Sequence, residues 1–153
     1  YKRYTHEGGV ATPLIVHWPD GLKDQNTLRH SPGHIIDIAP TCLNAAGLST
    51  KGMEGQTLLP VFTKDSTQPR TLFWEHEGNR AVRQGDYKLV AQHSTPWELY
   101  NMRKDRNELH DLSRSMPQKA AELKKLYEAW AYRVGAKPWD EVSIIRKKNP
   151  SKK

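Results

Sequence analysis

Residues 71–100 read TLFWEHEGNRAVRQGDYKLVAQHSTPWELY, and this stretch decides the fold of the C-terminal half. Four short segments rich in aromatic or β-branched residues occur within it, at residues 71–76, 80–84, 87–92 and 97–100. Gly85 and Asp86 separate the second segment from the third, which is typical of a two-residue hairpin turn. The pattern therefore predicts an antiparallel meander of about four strands.

A helix is expected after this sheet. Residues 115–118, Ser-Met-Pro-Gln, have the pattern of a helix start, in which Ser115 is the N-cap and the Gln118 side chain hydrogen-bonds back to the backbone N–H of Ser115. Apolar side chains then recur at helical spacing, at Ala120, Leu123, Tyr127, Trp130 and Val134. One helix face can therefore pack on the sheet, and Gly135 is expected to end the helix.

The N-terminal half contains a short apolar run and a short helix pattern. Residues 12–19, Thr-Pro-Leu-Ile-Val-His-Trp-Pro, are β-branched and apolar between prolines, which predicts a buried strand. Farther along, Asp37 has the position of an N-cap, Pro40 that of a first-turn residue, and Gly47 that of a left-handed helix end. Because these positions account for Asp37, we expect a helix cap there rather than a metal ligand.

The single cysteine of the chain lies on the apolar face of this expected helix. Cys42 is therefore expected to be a small core residue rather than a nucleophile, and one cysteine cannot form an internal disulfide. His30 and His34 are four residues apart, but Pro32 and Gly33 between them argue against the helix that a zinc site of this spacing needs.

Charge is concentrated at one end of the chain. The 153 residues contain 24 Lys plus Arg and 17 Asp plus Glu, a formal charge of +7, and residues 146–153 hold five of the basic groups and no acid. The rest of the chain carries only +2, which argues against a basic nucleic-acid-binding face. We expect residues 141–153 to be a solvated basic tail, and Lys88, Glu98 and the helix charges to lie on solvated faces.

Hydropathy and the start of the chain give two further expectations. The mean hydropathy is −0.82, and no segment approaches the ~20 consecutive apolar residues that cross a bilayer, so a transmembrane helix is excluded. The chain begins with Tyr1 and shows no signal-peptide pattern. We therefore expect a fragment or a processed chain.

The first thirteen residues contain the most suggestive chemistry. Lys2 supplies a fixed cation, His6 a titratable donor, and Gly8-Gly9 a backbone without Cβ atoms, a combination that suits an anionic oxyester. A generic loop has the same composition, so this segment alone leaves both interpretations open.

The order of motifs along the chain resembles that of type I, formylglycine-dependent sulfatases of the arylsulfatase kind. The resemblance covers residues 1 to about 134 and rests on six blocks in order. They are Lys2 with Glu7-Gly8-Gly9 and Pro13 before the run ending in Trp18-Pro19, residues 37–41 with 45–47, and residues 55–60, 74–79, 83–90 and 97–101.

This resemblance implies the C-terminal part of an alkaline-phosphatase-like α/β fold. Residues 1–63 would end the main α/β domain, and residues 70–140 would form a subdomain of four antiparallel strands packed by one C-terminal helix. The implied activity is hydrolysis of sulfate esters, in which a formylglycine hydrate, made from a Cys/Ser-x-Pro-x-Arg motif, would attack the sulfur at a site that also holds calcium. Cys42 precedes Leu-Asn-Ala, so it is not that residue. We expect nucleophile and metal ligands upstream of Tyr1, no metal ligand here, and no activity of this chain alone.

Three residues are candidates for contact with the sulfate ester. The resemblance implies that Lys2 is the lysine that contacts the sulfate and the leaving-group oxygen, where a fixed positive charge stabilises developing negative charge. For His6 the sequence leaves two roles open, a contact with the substrate or a cap of its own loop. His76 lies at a strand end with Glu77, where it either reaches a neighbouring cleft or hydrogen-bonds within the sheet edge.

Partners and location follow from the same interpretation. The apolar run ending at Trp18 would lack its neighbours in this chain, so we expect it to pair with a second copy or to be disordered. The resemblance implies a periplasmic, secreted or lysosomal parent. An alternative of another class is a non-catalytic module whose basic tail binds an acidic polymer such as sulfated glycan or RNA, and strong salt dependence would distinguish it.

Overall fold

The computed structural model describes residues 2–24, 26–65 and 70–148, with only the backbone for residues 145–148. The chain divides into two compact units, residues 13–68 and residues 1–12 with 69–153. The elements, in chain order, are α1 (Glu7–Val10), a 3-10 turn (Ile35–Asp37), α2 (Ile38–Ala45), α3 (Leu59–Thr63), β1 (Thr71–His76), β2 (Asn79–Gln84), β3 (Tyr87–Ala91), β4 (Glu98–Asn101), α4 (Pro117–Val134) and α5 (Trp139–Lys148).

The predicted four-stranded meander is confirmed. The strands lie in the order β1-β2-β3-β4, and each neighbouring pair is antiparallel. Gln84 pairs with Tyr87, so Gly85 and Asp86 form the two-residue turn that the sequence predicts. A second two-residue turn joins β1 to β2, where Glu77 and Gly78 have φ values of 52° and 82°. Positive φ at both positions is the geometry of the hairpin turns that match strand twist.

Both faces of this sheet are covered by apolar side chains. On one face, Val82, Leu89 and Leu99 pack against Leu123 and Tyr127 of α4. Aromatic pairs extend this core, with Phe73 stacked on Trp130 and Trp97 edge-on to Tyr127. The other face carries a second cluster, which consists of Ala81, Val90, Tyr100 and Met102 with Trp74 beside them. The helix predicted from apolar spacing therefore lies where one face of the sheet needs cover.

The ends of α4 differ from the prediction at one residue. The helix begins at Pro117 with Met116 as N-cap, and no side chain caps it. The assignment of Ser115 as N-cap is therefore wrong, because its hydroxyl donates to the Leu112 carbonyl instead. Proline at the first helical position needs no N–H there, which explains the start at Pro117. Gly135 has φ 70° and ends the helix in the left-handed conformation, as predicted.

Unit 13–68 contains the short helix predicted between Asp37 and Gly47. Asp37 precedes α2, but its buried carboxylate accepts hydrogen bonds from the backbone N–H groups of His34 and Gln56 rather than capping α2 itself. Gly47 has φ 72°, and the Leu48 N–H donates to the Leu43 carbonyl at 2.8 Å. This is the helix-ending motif in which glycine follows the last helical turn, as predicted.

The predicted buried strand at residues 14–18 is wrong. These residues form neither strand nor helix, and their side chains are exposed, Ile15 by 88%. A strand needs a neighbour for its backbone hydrogen bonds, and no strand of the described residues pairs with this segment. Pairing with a second copy through this segment stays a prediction.

The end of the chain is more ordered than the expected tail. Helix α5 extends to Lys148 and so takes up part of residues 141–153, whereas residues 149–153 lie outside the described residues. Among the residues that the structure describes, no helix is both long and apolar enough to cross a membrane.

Candidate functional site

The segment that carries Lys2 lies in the same unit as the antiparallel sheet. Lys2 and Arg3 form an exposed turn, and His6 precedes the single helical turn α1. The Lys2 ammonium has no hydrogen-bond or ion-pair partner among the described residues. The residues that follow Lys2 determine how firmly it is positioned.

A buried lysine fixes this segment to the sheet. Lys88 on β3 is fully buried, and its Nζ lies 2.8 Å from Glu108 Oε1 and 3.3 Å from Glu7 Oε1. The Glu7 N–H also donates to Glu108 Oε2 at 2.7 Å. Because buried charges are tolerated only when they are paired and hydrogen-bonded, these contacts must form together. They tie residue 7 to positions 81 and 101 residues away in sequence.

The expectation that Lys88 lies on a solvated face is wrong, and the strand pattern gives the reason. Lys88 pairs across the sheet with Tyr100, and Val90 with Ala81, so Lys88 lies on the face of the second apolar cluster. In the sequence, a lysine between apolar residues of a central strand indicates a buried ion pair. The sequence alone did not identify its carboxylate partners.

A second tie involves the candidate residue His6. Its Nε2 lies 3.0 Å from Glu98 Oε2, and the Tyr100 hydroxyl donates to the same oxygen at 3.2 Å. Burial, followed by the Glu98 charge, raises the pKa of Tyr100 above its ordinary value. Glu98 is thus in a polar contact on the sheet rather than simply solvated. His6 does not cap α1 with its side chain, and its contact with substrate stays a prediction.

A cleft of about 340 Å³ lies beside this segment. Its lining residues are Arg3, Tyr4, Glu77, Asn79, Gln92, His93 and Trp139. At its walls, Arg3 forms an ion pair with Glu77 at 3.5 Å, and the His93 ring contacts the Asp140 carboxylate at 3.2 Å. Of these residues, the sequence indicated only Glu77 as a neighbour of a candidate. The others come together because the N-terminal segment, the start of β2, the residues after β3 and the start of α5 meet at this cleft.

Of the three candidate residues, Lys2 and His6 lie in the N-terminal segment, whereas His76 lies at the end of β1. His76 is exposed at the end of β1 and does not line the cleft, although its carbonyl accepts a hydrogen bond from the Asn79 side chain. Within the described residues, no hydrogen bond or ion pair joins Lys2, His6 or His76 to another of the three. The roles of all three residues toward a substrate stay predictions.

Unit 13–68 contains the cysteine and an apolar groove. Cys42 is exposed rather than a core residue, because the face of α2 that bears it lines a groove of about 220 Å³ with Leu14, Val16 and Trp18. The groove has no charged lining residue. Across residues 2–24, 26–65 and 70–148, no group of three His, Cys, Asp or Glu residues is placed to hold a metal ion.

Comparison with known proteins identifies the family. The family model described as "N-sulphoglucosamine sulphohydrolase, C-terminal" matches residues 1–131. Arylsulfatase K of Danio rerio is 30% identical over 141 residues, which cover 82% of this chain and 27% of that protein. The chain thus spans about a quarter of the length of this relative.

Solved structures agree at the level of the fold. A Bacteroides thetaiotaomicron structure, described in connection with the metabolism of multiple glycosaminoglycans, has a TM-score of 0.72 at 20% identity, covering 84% of this chain and 30% of that chain. Another structure, in complex with its substrate D-glucosamine-2-N,6-O-disulfate, has a TM-score of 0.52 at 22% identity. The match covers 67% of this chain and 25% of that chain.

The four-stranded sheet with its C-terminal helix is the C-terminal architecture of the sulfatases, which have an alkaline-phosphatase-like fold. The sequence resemblance is confirmed. The chain belongs to the sulfatase family, through the C-terminal region that the N-sulphoglucosamine sulphohydrolase model describes.

Proposed function

We propose that the longer protein that contains this chain hydrolyses sulfate groups from a sulfated saccharide. The family match over residues 1–131 carries this proposal. The substrate class is supported by the family description, which names sulphoglucosamine, and by the neighbour whose substrate is a glucosamine disulfate. A periplasmic, secreted or lysosomal location is proposed with it.

Lys2 would act as a fixed positive charge at the sulfate. Its side chain is exposed and has no partner among the described residues, while Glu7, five residues later, is held by buried Lys88. A short segment held at one end keeps the lysine near one position, which is what electrostatic stabilisation of a developing negative charge requires. Loss of one preorganised donor of this kind costs about 2.7–4 kcal/mol, or ~10²–10³ in kcat.

Calcium and formylglycine belong to this proposal as groups supplied by the rest of the longer protein. The described residues offer no three-ligand cluster, and Cys42 lacks the motif from which formylglycine is made. The described residues therefore do not fit either group.

The test compares Lys2→Ala with a matched exposed lysine. In the longer protein, Lys2→Ala should lower kcat for release of sulfate from a glucosamine 6-sulfate by about 10²–10³, because the fixed charge is lost. Lys125→Ala, at an exposed position on α4, should leave kcat within about twofold, because a solvated charge contributes little.

Two results would contradict the proposal. A wild-type longer protein that releases no sulfate from any sugar sulfate would reject the activity. A fall of less than tenfold for Lys2→Ala, with near-ultraviolet circular dichroism unchanged, would reject the role of Lys2. The 153-residue chain alone is the negative control, and we expect no hydrolysis from it with or without calcium.

A further inference from the structure

The cleft lined by Arg3, Glu77 and Trp139 has neither His6 nor His76 among its lining residues. It opens beside the turn that carries Lys2, and its wall at Trp139 belongs to α5. Helix α5 lies beyond residues 1–131, the range that the family model matches. The cleft is therefore formed partly by a segment that lies outside the matched region.

The charges at the cleft are already paired. Arg3 Nε lies 3.5 Å from Glu77 Oε2, and His93 Nε2 lies 3.2 Å from Asp140 Oδ1. Arg3 and His93 thus each have a carboxylate partner, so the lining offers no excess of positive charge. A sulfate or carboxylate group would have to compete with these carboxylates, whereas hydroxyl groups can donate to them and accept from their partners.

The remaining lining combines flat apolar rings with amide groups. Tyr4 is 42% exposed, and Trp139 is half-buried at the start of α5. Gln92 adds an exposed amide with both donor and acceptor groups. A pyranose ring has matching chemistry, since its C–H face is apolar and its edge carries hydroxyl groups. At about 340 Å³, the cleft lies near the lower end of the roughly 300–1,000 Å³ typical of ligand pockets.

The walls of the cleft are held in place by the β1–β2 turn. A Cβ atom at Gly78 would lie 2.5 Å from His93 Nδ1 and 2.9 Å from the Trp139 Cβ, so the turn packs directly against both residues. The side chain of Asn79 is buried, and its Oδ1 accepts from the His93 N–H at 3.2 Å. His93 and the start of α5 at Trp139 are thus held against the turn, and such preorganisation lowers the cost of binding.

We propose that this cleft binds an uncharged sugar ring of the saccharide substrate, with Trp139 as the stacking residue that determines specificity. The proposal rests on the sulfated-saccharide substrate of the proposed function. It adds that a ring without sulfate occupies the cleft, against a segment outside the matched family region.

The test measures binding to the 153-residue chain, so it does not depend on catalysis. The neutral disaccharide N,N′-diacetylchitobiose is titrated into the chain, and the Trp139 indole and the Gly78 and Gln92 amides are followed by NMR. We expect these resonances to shift together with a Kd of about 1–10 mM. Trp139→Ala should weaken binding about tenfold or more, and Trp139→Phe should retain it because an aromatic face remains.

Controls separate binding in this cleft from binding elsewhere on the chain. Tyr132→Ala removes an aromatic residue that is 92% exposed on α4 and does not line the cleft, and it should leave the titration unchanged. Sodium sulfate should not shift the three resonances. The proposal is overturned if the disaccharide gives no shift, if sulfate alone shifts the same resonances, or if Trp139→Ala binds as wild type does. Failure of the proposed function is seen separately, as absence of sulfate release by the longer protein.

Discussion

Replacement of Lys88 by Met should destabilise the sheet-containing unit far more than a lysine substitution usually does. Lys88 is fully buried and contacts Glu108 at 2.8 Å and Glu7 at 3.3 Å, and the Glu108 side chain is only 5% exposed. Methionine fills most of the same volume, so the change removes the charge and leaves little cavity. Two carboxylates then remain close together without the cation between them.

The expected loss follows from that arrangement. Removing one partner of a buried ion pair costs about 3–5 kcal/mol, because the remaining charge is left uncompensated in a poorly solvated site. Since the stability of a whole domain is about 5–15 kcal/mol, Lys88→Met should remove a large share of it. If uncompensated charge is the cause, adding Glu108→Gln and Glu7→Gln to Lys88→Met should restore much of the loss, because no buried carboxylate remains there.

The assay is guanidinium unfolding followed by near-ultraviolet circular dichroism, which reports the aromatic pairs Phe73–Trp130 and Trp97–Tyr127 of this unit. The matched control is Lys124→Met, which breaks an exposed i,i+4 pair with Glu128 and should cost no more than about 0.5 kcal/mol. If Lys88→Met costs as little as this control, loss of the lysine does not leave an uncompensated buried carboxylate, and the reasoning fails.

Two further outcomes concern the helix α4. Gly135→Ala should cost about 1–2 kcal/mol of unfolding free energy, because Gly135 has φ 70° and a new methyl group would meet open space, so that only backbone strain remains. As a control in the same unfolding assay, Gly8→Ala in α1 should be neutral or stabilising. Burial, with a smaller effect of the Glu75 charge, raises the pKa of Tyr127 to about 12. Since the pKa of tyrosine in the unfolded chain is about 10, the unfolded state loses the Tyr127 proton at a lower pH than the folded state does. The stability of the fold should therefore decrease as the pH rises from about 10 to 12. Tyr127→Phe should reduce the slope of stability against pH in this range, where Tyr100 with its raised pKa contributes the remainder, and an unchanged slope would contradict the prediction.

Local patterns explain why the C-terminal sheet and helix were predicted. The turn at Gly85 and the alternation on either side of it are properties of neighbouring residues, and register follows from turn length. The apolar spacing of α4 and its glycine end are equally local. The error at Ser115 is one residue, because Ser and the following Pro117 both signal a helix start.

Long-range pairing explains what the sequence did not predict. Lys88 was expected on a solvated face because its partners Glu7 and Glu108 lie 81 and 20 residues away in sequence, and no local pattern connects them to it. The apolar run at residues 14–18 has the composition of a strand, but a strand is defined by its neighbour, and no strand pairs with it in the described residues. The cleft depends on α5 meeting the β1–β2 turn, which likewise has no sequence signature.

The contact of Glu7 with Lys88 and Glu108 has a consequence for synthesis of the protein on the ribosome. Glu7 is translated 101 residues before Glu108, and at ~5–20 residues per second the two emerge about 5–20 s apart. During that interval unit 13–68 is complete, while the segment that carries Lys2 has no sheet to bind. Docking of this segment should therefore be a late step of folding, because β3 and the loop that carries Glu108 must both be in place before Glu7 has its partners.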